Sequence, residues 1–148
     1  MNFIIGCSAK KKDGTMRAFE KYDGPLWKSL RTLITPEFEM THMQVVGCKI
    51  LAISVAHGII PAWHVIEDYD ETFSQDNTPG DLGGFIAEQL DSHWWPIRHL
   101  NNEPCILVAG RSYARAAEIA GLEFEFVEGG IGIKRQRMKE LIQKHLSV

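Results

Sequence analysis

The residue types best suited to chemistry come near the start of the chain, directly after a short apolar run. Phe3–Ile5 has the character of a buried strand, which breaks at Gly6 into the turn Cys7–Lys12, carrying a thiol, a hydroxyl and three ammonium groups. In α/β folds the ligand site lies just beyond the carboxyl ends of the strands. The turn therefore predicts a site for an anion, with a nucleotide as the expected ligand. The alternative is a solvated lysine run on a surface loop, since charged runs are usually exposed.

Three side chains of this turn, those of Cys7, Ser8 and Lys10, are candidates for contact with the ligand. Lys10 is expected to bind phosphate as a charged ammonium group. Ser8 is expected to supply a hydrogen bond to phosphate. Cys7 is expected to lie at the ligand, either as a thiolate nucleophile or as a small packing residue at a strand end.

A second group of candidates follows another apolar run. Ser54 lies near the end of that run, and His57 comes directly after it. A histidine at a strand end is suited to general acid or base catalysis near neutral pH, with a role in binding or in fixing the loop as the alternative. In the acid-rich loop that follows, Asp70 is expected to orient a ribose hydroxyl or act as a base, unless it forms an Asx turn. The aromatic rings of Tyr22 and Tyr69 are suited to stacking on a base.

Two further turns are candidates for binding phosphate. The turn Gly110–Tyr113 joins a predicted strand to a predicted helix, where free backbone N–H groups attract an anion, although the same residues suit an ordinary helix cap. The glycine-rich turn 129–132 permits close approach of a ligand to the backbone and precedes a basic helix. The phosphate ligands predicted from these two turns are Arg111, Ser112, Gly130, Gly132, Lys134 and Arg135.

The elements that must position these candidates follow from the spacing of apolar residues. The predicted strands are 2–6, 48–55 with an earlier start at Gln44 as an alternative, 105–109 and 122–127. The first predicted helix covers 24–33 and is stopped by Thr35–Pro36, and the second runs from Pro79 through Trp94 and Ile97 with Asp81 as its cap. The third covers 111–120 and is closed by Gly121, and the last is a basic helix that ends near Leu146. The segment 7–23 has the character of a loop.

This alternation of strands and helices predicts a single α/β domain with a largely parallel central sheet of about four strands flanked by helices. The loops at the carboxyl ends of parallel strands gather on one edge of a sheet. We therefore expect the turns 7–12, 54–58, 110–113 and 128–134 to meet there.

Composition restricts the class of protein. With 148 residues and 45% hydrophobic content, the chain is the size of one domain with one sizeable core. It contains neither a run of roughly 20 apolar residues nor the residue order of a signal peptide, which predicts a cytoplasmic protein without a membrane partner. Cys7, Cys48 and Cys105 show no CxxC spacing, and His57 and His64 form no tight ligand pair, so no disulfide, metal or other cofactor is predicted.

Charge is distributed unevenly along the chain, whose formal net charge is −3. Residues 1–31 carry seven Lys or Arg against three acids, and the chain from Gly129 onward carries five against one, so each end has a net charge of +4. The middle is strongly acidic. If the two basic ends converge on one rim of the sheet, they form a local phosphate-binding face.

Four short motifs together resemble a family of bacterial and phage domains of unknown function. The family pattern is a Cys-Ser-x-x-Lys turn, then Tyr-x-Gly-Pro-Leu, then Ser-Ala-x-x-Gly, then Tyr-Asp-x-Thr. In this chain the corresponding segments are Cys7–Lys11, Tyr22–Trp27, Ser54–Ile60 and Tyr69–Phe73, and the resemblance extends to 129–141. It covers nearly the whole chain and implies a bacterial protein of cellular or phage origin.

More distantly, the Cys7–Lys11 turn and the order of Ile60–Pro61 and Tyr69–Asp70 are similar to the core domain of archaeosine synthase, which resembles uracil-DNA glycosylases in fold. This resemblance implies a glycosylase-like three-layer sandwich and chemistry on a nucleobase or nucleoside. It also implies that Lys11 is the functional lysine, as a nucleophile or as a phosphate ligand. The chain lacks the Asp-Pro-Tyr and His-Pro-Ser motifs of the glycosylases, so no particular reaction is implied.

These observations predict an enzyme that acts on a nucleobase or nucleotide by N-glycosidic cleavage, base transfer or base modification. Lys11 would bind or attack, and His57 or Asp70 would move protons. The expected partner is a nucleotide or a nucleic acid, single-stranded or with a flipped base, and the oligomeric state is left open. Two alternatives remain: a non-catalytic nucleotide or nucleic-acid-binding module, and an interaction protein that contacts a phage or host factor through its acidic middle.

Overall fold

Five apolar segments form the central sheet of this computed structural model, which describes residues 1–34, 49–92, 94, 97 and 99–146. In spatial order the strands are β4 (Gly58–Pro61), β3 (Lys49–Ser54), β1 (Asn2–Gly6), β6 (Cys105–Val108) and β7 (Glu125–Phe126). β1 is parallel to β3 and β6, and β6 is parallel to β7, whereas β4 runs antiparallel to β3. The prediction of a largely parallel sheet is confirmed.

The fifth strand, β4, is a correction to the predicted sheet of about four strands. Its four residues follow β3 after a short turn and lie at the edge of the sheet. An edge strand tolerates Pro61, which cannot donate a ladder hydrogen bond. The proline and the short length conceal this strand in the sequence.

Two further short elements interrupt the segment 7–23, which was predicted to be mostly loop. β2 (Met16–Arg17) pairs antiparallel with β5 (Val65–Ile66), and α1 (Ala18–Lys21) follows β2 directly. Elements of two to four residues carry no measurable periodicity, because less than one helical turn or strand repeat is present.

Four longer helices cover the two faces of the sheet. These are α2 (Pro25–Leu33), α3 (Pro79–Asp91), α4 (Arg111–Ile119) and α5 (Ile131–Leu146). Phe3 and Ile5 of β1 face α2 and α5, and Ile4 faces α3 and α4, as alternation along a strand requires. Because helices cover both faces, β1 is buried along its whole length. The chain therefore forms three layers.

The helix boundaries differ from the prediction in α3. Thr78, not Asp81, is the N-cap, and the two side chains form a capping box in which Asp81 accepts from the Thr78 backbone N–H. The helix ends at Asp91, so Trp94 and Ile97 lie beyond it and not within it. α2 begins with Pro25 at its first position, as predicted, and Gly121 with φ +81° follows α4 as its terminator.

The strand boundaries also differ slightly. β3 begins at Lys49 and ends at Ser54, β6 ends at Val108, and β7 covers only two of the six residues predicted. The predicted start at Gln44 or Cys48 and the stop at Thr35–Pro36 lie outside the described residues.

Adjacent glycines in α3 provide a matched test of the packing between α3 and α4. A Cβ on Gly83 would lie 2.6 Å from the Ile119 side chain and 2.9 Å from the Ala116 carbonyl oxygen, whereas a Cβ on Gly84 would meet nothing within 4 Å. We expect Gly83→Ala to lower the free energy of unfolding by about 1–3 kcal/mol through overpacking. Gly84→Ala should raise it by about 0.5–1 kcal/mol, since alanine is the better helix former. Urea denaturation of both variants checks this, and equal effects would contradict the close helix packing.

Candidate functional site

The order of the parallel strands creates a switch point between β1 and β6. After β1 the chain continues to β3 on one side of it, and the next parallel strand, β6, lies on the other side. The helix that follows β1 packs on one face of the sheet, and the helix that follows β6 packs on the opposite face. In open α/β sheets, ligands bind outside the carboxyl ends of the strands at such a point. The loops after Gly6 and after Val108 therefore define the candidate site.

Cys7 and Tyr113 join these two loops. The Cys7 Sγ lies 3.1 Å from the Tyr113 hydroxyl, and the Cys7 backbone N–H donates to the Ile53 carbonyl. The Tyr113 ring packs on Phe73, with 4.8 Å between ring centroids. Burial raises the pKa of Tyr113, so its hydroxyl stays protonated at neutral pH. Sequence reasoning did not select Tyr113, although its place in the first turn of the helix that follows β6 was a usable signal.

A hydrogen-bonded group of four side chains, which we call the tyrosine cluster, lies beside Cys7 and consists of Tyr22, Tyr69, Ser54 and His57. The Tyr22 and Tyr69 hydroxyls are 2.6 Å apart, and the Ser54 side chain lies next to both. The Ser54 Oγ accepts from the His57 backbone N–H at 3.1 Å and lies 3.2 Å from its Nδ1. The His57 ring meets the Tyr69 ring edge to face, with 4.8 Å between centroids. All four residues were predicted site residues, and the structure brings them together. Tyr22 and Ser54 are buried, however, so the prediction that the Tyr22 ring stacks on a base is wrong, and only Tyr69 and His57 are partly exposed to a ligand.

Burial controls the protonation of this cluster. It raises the pKa of Tyr22 to about 12 and raises that of Tyr69 further, so both phenols remain neutral. Burial also lowers the pKa of His57 below its ordinary value of 6.5, and the nearby His64 lowers it further. His57 is therefore an uncharged imidazole at neutral pH, which can accept a proton.

The turn that carries His57 is held against α3. Gly58, directly after His57, adopts φ +65°, a conformation that favours glycine, and it allows the chain to reverse into β4. The Gln89 side chain donates to the His57 and Ile59 carbonyls and accepts from the Ile59 backbone N–H. These three hydrogen bonds determine the path of the backbone on both sides of His57.

Lys11, the predicted functional lysine, also lies at the tyrosine cluster. Its ammonium group lies 4.6 Å from the centroid of the Tyr69 ring, within the range of a cation–π contact. Its backbone forms an antiparallel bridge with Tyr22. A half-buried ammonium group next to two neutral phenols can bind an anionic substrate group.

Lys21 is a functional candidate that sequence reasoning missed. Its side chain is fully buried, and the ammonium group donates to the Lys12 and Gly14 carbonyls and to the Asp68 carboxylate. The Gly14 backbone N–H donates to the same carboxylate at 3.0 Å. These bonds join the lysine turn to the loop that carries Tyr69, and so hold Lys11 over its ring. A lysine in a loop-like segment is usually exposed, so the sequence contained no signal for this burial.

Two predicted residues have other surroundings than expected. The Ser8 hydroxyl accepts from the Asp23 and Gly24 backbone N–H groups and donates to the Lys10 carbonyl, so its capacity is used within the turn. A phosphate contact by Ser8 would require this turn to rearrange. Asp70 is exposed beside Tyr69.

The predicted phosphate ligands of the two later turns do not join the tyrosine cluster through any contact among the described residues. Arg111 and Ser112 are exposed in the first turn of α4, where Gly110 and not Ser112 is the N-cap. Gly130 and Gly132 are exposed at the start of α5, with open space where a Cβ would stand. The Lys134 ammonium group lies 5.5 Å from the Phe126 ring centroid.

The two basic ends of the chain converge, although on a helical face and not at the tyrosine cluster itself. Lys10 from the first basic segment and Arg135 from the last line one groove of about 590 Å³ between α2 and α5. The amphipathic face that binds α5 to the sheet, with Met138 and Ile142 in the core, brings Arg135 to this position.

The described residues 1–34, 49–92, 94, 97 and 99–146 contain no group of three His, Cys, Asp or Glu side chains able to hold a metal ion. None of the helices described within those ranges is long and apolar enough to span a membrane. In comparisons with known proteins, the chain matches no protein-family model and no curated protein.

Proposed function

We propose that this chain is an enzyme that acts on a nucleobase or nucleotide, by N-glycosidic bond cleavage, base transfer or base modification. One observation carries the proposal: the tyrosine cluster, Lys11 and Cys7 lie together at the switch point of a mostly parallel α/β sheet. Sites at that position commonly take ligands that combine an aromatic ring with an anionic group.

The substrate base is expected to bind at the tyrosine cluster. Tyr69 is half-buried and offers its ring and a neutral hydroxyl, whereas Tyr22 is fully buried and supports Tyr69 from below through the bond between their hydroxyls. Burial raises the pKa of both phenols. Base edges carry hydrogen-bond donors and acceptors that match such hydroxyls. Lys11 would bind the phosphate or attack the sugar C1′, where a new C–N bond forms as the glycosidic bond breaks and the base leaves. Asp70, the exposed neighbour of Tyr69, would contact a ribose hydroxyl.

His57 is the proposed general base. Its Nδ1 faces the Ser54 hydroxyl, which leaves Nε2 as the ring nitrogen on the far side of that contact. A neutral imidazole accepts the proton of an attacking group, which is water in hydrolysis or the Lys11 amine in base transfer, and returns it to the leaving group. The lowered pKa of His57 suits this role, because it keeps the base form populated at neutral pH.

A second candidate function is a nucleic-acid-binding module without chemistry. The observation that favours it is the basic groove between α2 and α5, which offers phosphate contacts and contains no group suited to proton transfer other than lysine and aspartate side chains. Such a module would bind in a salt-sensitive manner and release no product.

A thermal-shift screen with mass spectrometry of every ligand that stabilises the chain tests the proposal. The ligands are nucleosides, nucleotides and short single-stranded DNA and RNA. Stabilisation follows mass action, by roughly 2.7 kcal/mol at a hundredfold excess over Kd. We expect a ligand containing a nucleobase to stabilise the wild type and to change in mass on incubation.

Lys11→Ala should weaken the binding of that ligand by roughly 10- to 100-fold, the loss expected for a charged hydrogen bond worth about 1.5–3 kcal/mol. Lys12→Ala is the matched control, because Lys12 is the next residue, carries the same charge and is exposed. Stabilisation without a change in mass would favour the binding module. Equal affinity in the wild type and Lys11→Ala would exclude Lys11 from the site.

A further inference from the structure

We propose that the substrate of this site is a single nucleic-acid strand, and not a free nucleotide, and that the groove between α2 and α5 holds its phosphate backbone. The inference rests on the proposed function, since it names the substrate class of the same site. We call this surface the cationic groove, defined by Lys10 and Lys28 on one side and by Arg135 and Lys139 on the other.

The charge of the groove is not neutralised within the protein. Asp23 is the acidic residue of the lining, and its carboxylate is already engaged by Arg31 at 2.7 Å. Within the described part of the chain, none of the four cations of the cationic groove forms an ion pair. Four such cations in one groove of a protein with a net charge of −3 point to a polyanionic ligand.

The spacing of the cations suits a repeating ligand. On α5, Arg135 is followed one turn later by Lys139, so this helix presents two cations about 6 Å apart along its axis. Lys10 and Lys28 line the opposite side of the groove. A free nucleotide presents its phosphates at a single point and would use only part of this surface. A strand presents one phosphate per nucleotide along the groove, which is how proteins follow a single-stranded backbone.

The cationic groove and the tyrosine cluster lie on opposite sides of one pair of short backbone segments, Lys10–Lys11 and Tyr22–Asp23. Lys11 and Tyr22 pair across an antiparallel bridge, and the backbone N–H of Asp23 donates to the Lys10 carbonyl. Side chains alternate along such a pair. Lys11 and Tyr22 accordingly face the cluster, while Lys10 and Asp23 line the groove. A backbone bound in the groove therefore lies one residue away from the site of the base.

The experiment measures the affinity of a fluorescein-labelled single-stranded oligonucleotide by fluorescence anisotropy at several salt concentrations. Each neutralised phosphate of a single strand contributes roughly 0.7 to the slope of log K against log salt. We expect Lys28→Gln/Lys139→Gln to reduce that slope by roughly 1.4. The control is Arg115→Gln/Lys144→Gln, which makes the same change in net charge at two basic residues outside the groove lining, and it should leave the slope close to that of the wild type.

Two results would overturn the inference. The first is an equal slope of log K against log salt for the groove and control variants. The second is that the oligonucleotide does not bind, while a free nucleotide is converted with the same kcat/KM by the wild type and the groove variant. The second result leaves the proposed enzyme intact. Conversely, oligonucleotide binding that depends on the groove, with no product from any ligand, would support the groove and refute the enzyme. The two proposals therefore fail by different results.

Discussion

Replacement of Lys21 by methionine is expected to lower the free energy of unfolding by about 3 kcal/mol. Methionine fills a similar volume but leaves the carbonyls of Lys12 and Gly14 without the buried donor that they now share. The Asp68 carboxylate is two-thirds exposed, so water can replace its bond to Lys21 and it adds little to the loss. The main cost is therefore the loss of the two charged hydrogen bonds from the buried ammonium group to these carbonyls.

Urea denaturation followed by tryptophan fluorescence measures this loss, and the melting temperature should fall by roughly 6–12 °C for a chain of this size. Lys28→Met is the matched control, since Lys28 is exposed and such changes usually stay within about 0.5 kcal/mol. If the two variants were equally stable, the three hydrogen bonds of Lys21 would contribute nothing net, and this account of the loop would be wrong.

The same bond predicts a dependence of stability on pH. The hydrogen bond from Lys21 lowers the pKa of Asp68 in the folded chain, followed by the bond from the Gly14 backbone N–H. The charged carboxylate therefore favours the folded state at pH values above the ordinary carboxyl pKa of about 4, and that contribution is lost as the pH falls through the lower pKa of the folded state. Asp68→Asn should show a shallower loss of stability on acidification than the wild type does.

Replacement of His57 by glutamine is expected to lower kcat by about 10²- to 10⁴-fold on the substrate identified by mass spectrometry, which is the usual contribution of a general base. Glutamine keeps a polar group near Ser54 but accepts no proton at neutral pH. Single-turnover kinetics measures the chemical step directly. A variant that bound substrate normally and retained full kcat would remove His57 from the mechanism.

The pH profile provides a readout that a merely structural role would not change. Burial lowers the pKa of His57, so kcat/KM should remain high at pH 6.5 and fall only at more acidic pH. The charge of His64 lowers this pKa further and that of Glu71 raises it. His64→Gln should therefore move the acid limb towards neutral pH, and Glu71→Gln should move it in the opposite direction. Shifts in the same direction for both variants would contradict His57 as the titrating group.

Much of the architecture followed from local patterns in the sequence. The apolar runs at Phe3–Ile5 and in the β3 and β6 segments mark strands that are buried on both faces, and only a sheet covered by helices buries such runs. Pro25 and Gly121 mark the start of one helix and the end of another through their own backbone preferences. The sequence also placed the turns that follow the strands at one edge of the sheet, since parallel strands end on a common edge.

Other features depended on residues far apart in the chain. β4 exists because it pairs with β3 and is held by Gln89, about 30 residues away, and the pattern of its four residues did not indicate it. Thr78 and Asp81 are both suited to the N-cap position of α3. In the structure Thr78 is the N-cap and Asp81, three residues later, completes the capping box. The two basic ends converged because α2 and α5 pack on the same face of the sheet.

The sequence by itself determined the fold class, the strand ends that carry the candidate residues, and the role of the lysine turn as a charged loop at the edge of the sheet. Only the tertiary structure decided which of those residues meet: it joined Ser54, His57, Tyr22 and Tyr69, and left Asp70 exposed. The physical reason is that strand and helix preferences act over a few residues, whereas burial and hydrogen-bond partners come from other parts of the chain. Lys21 illustrates this difference, because it is buried only where the Lys12–Gly14 carbonyls and Asp68 surround it.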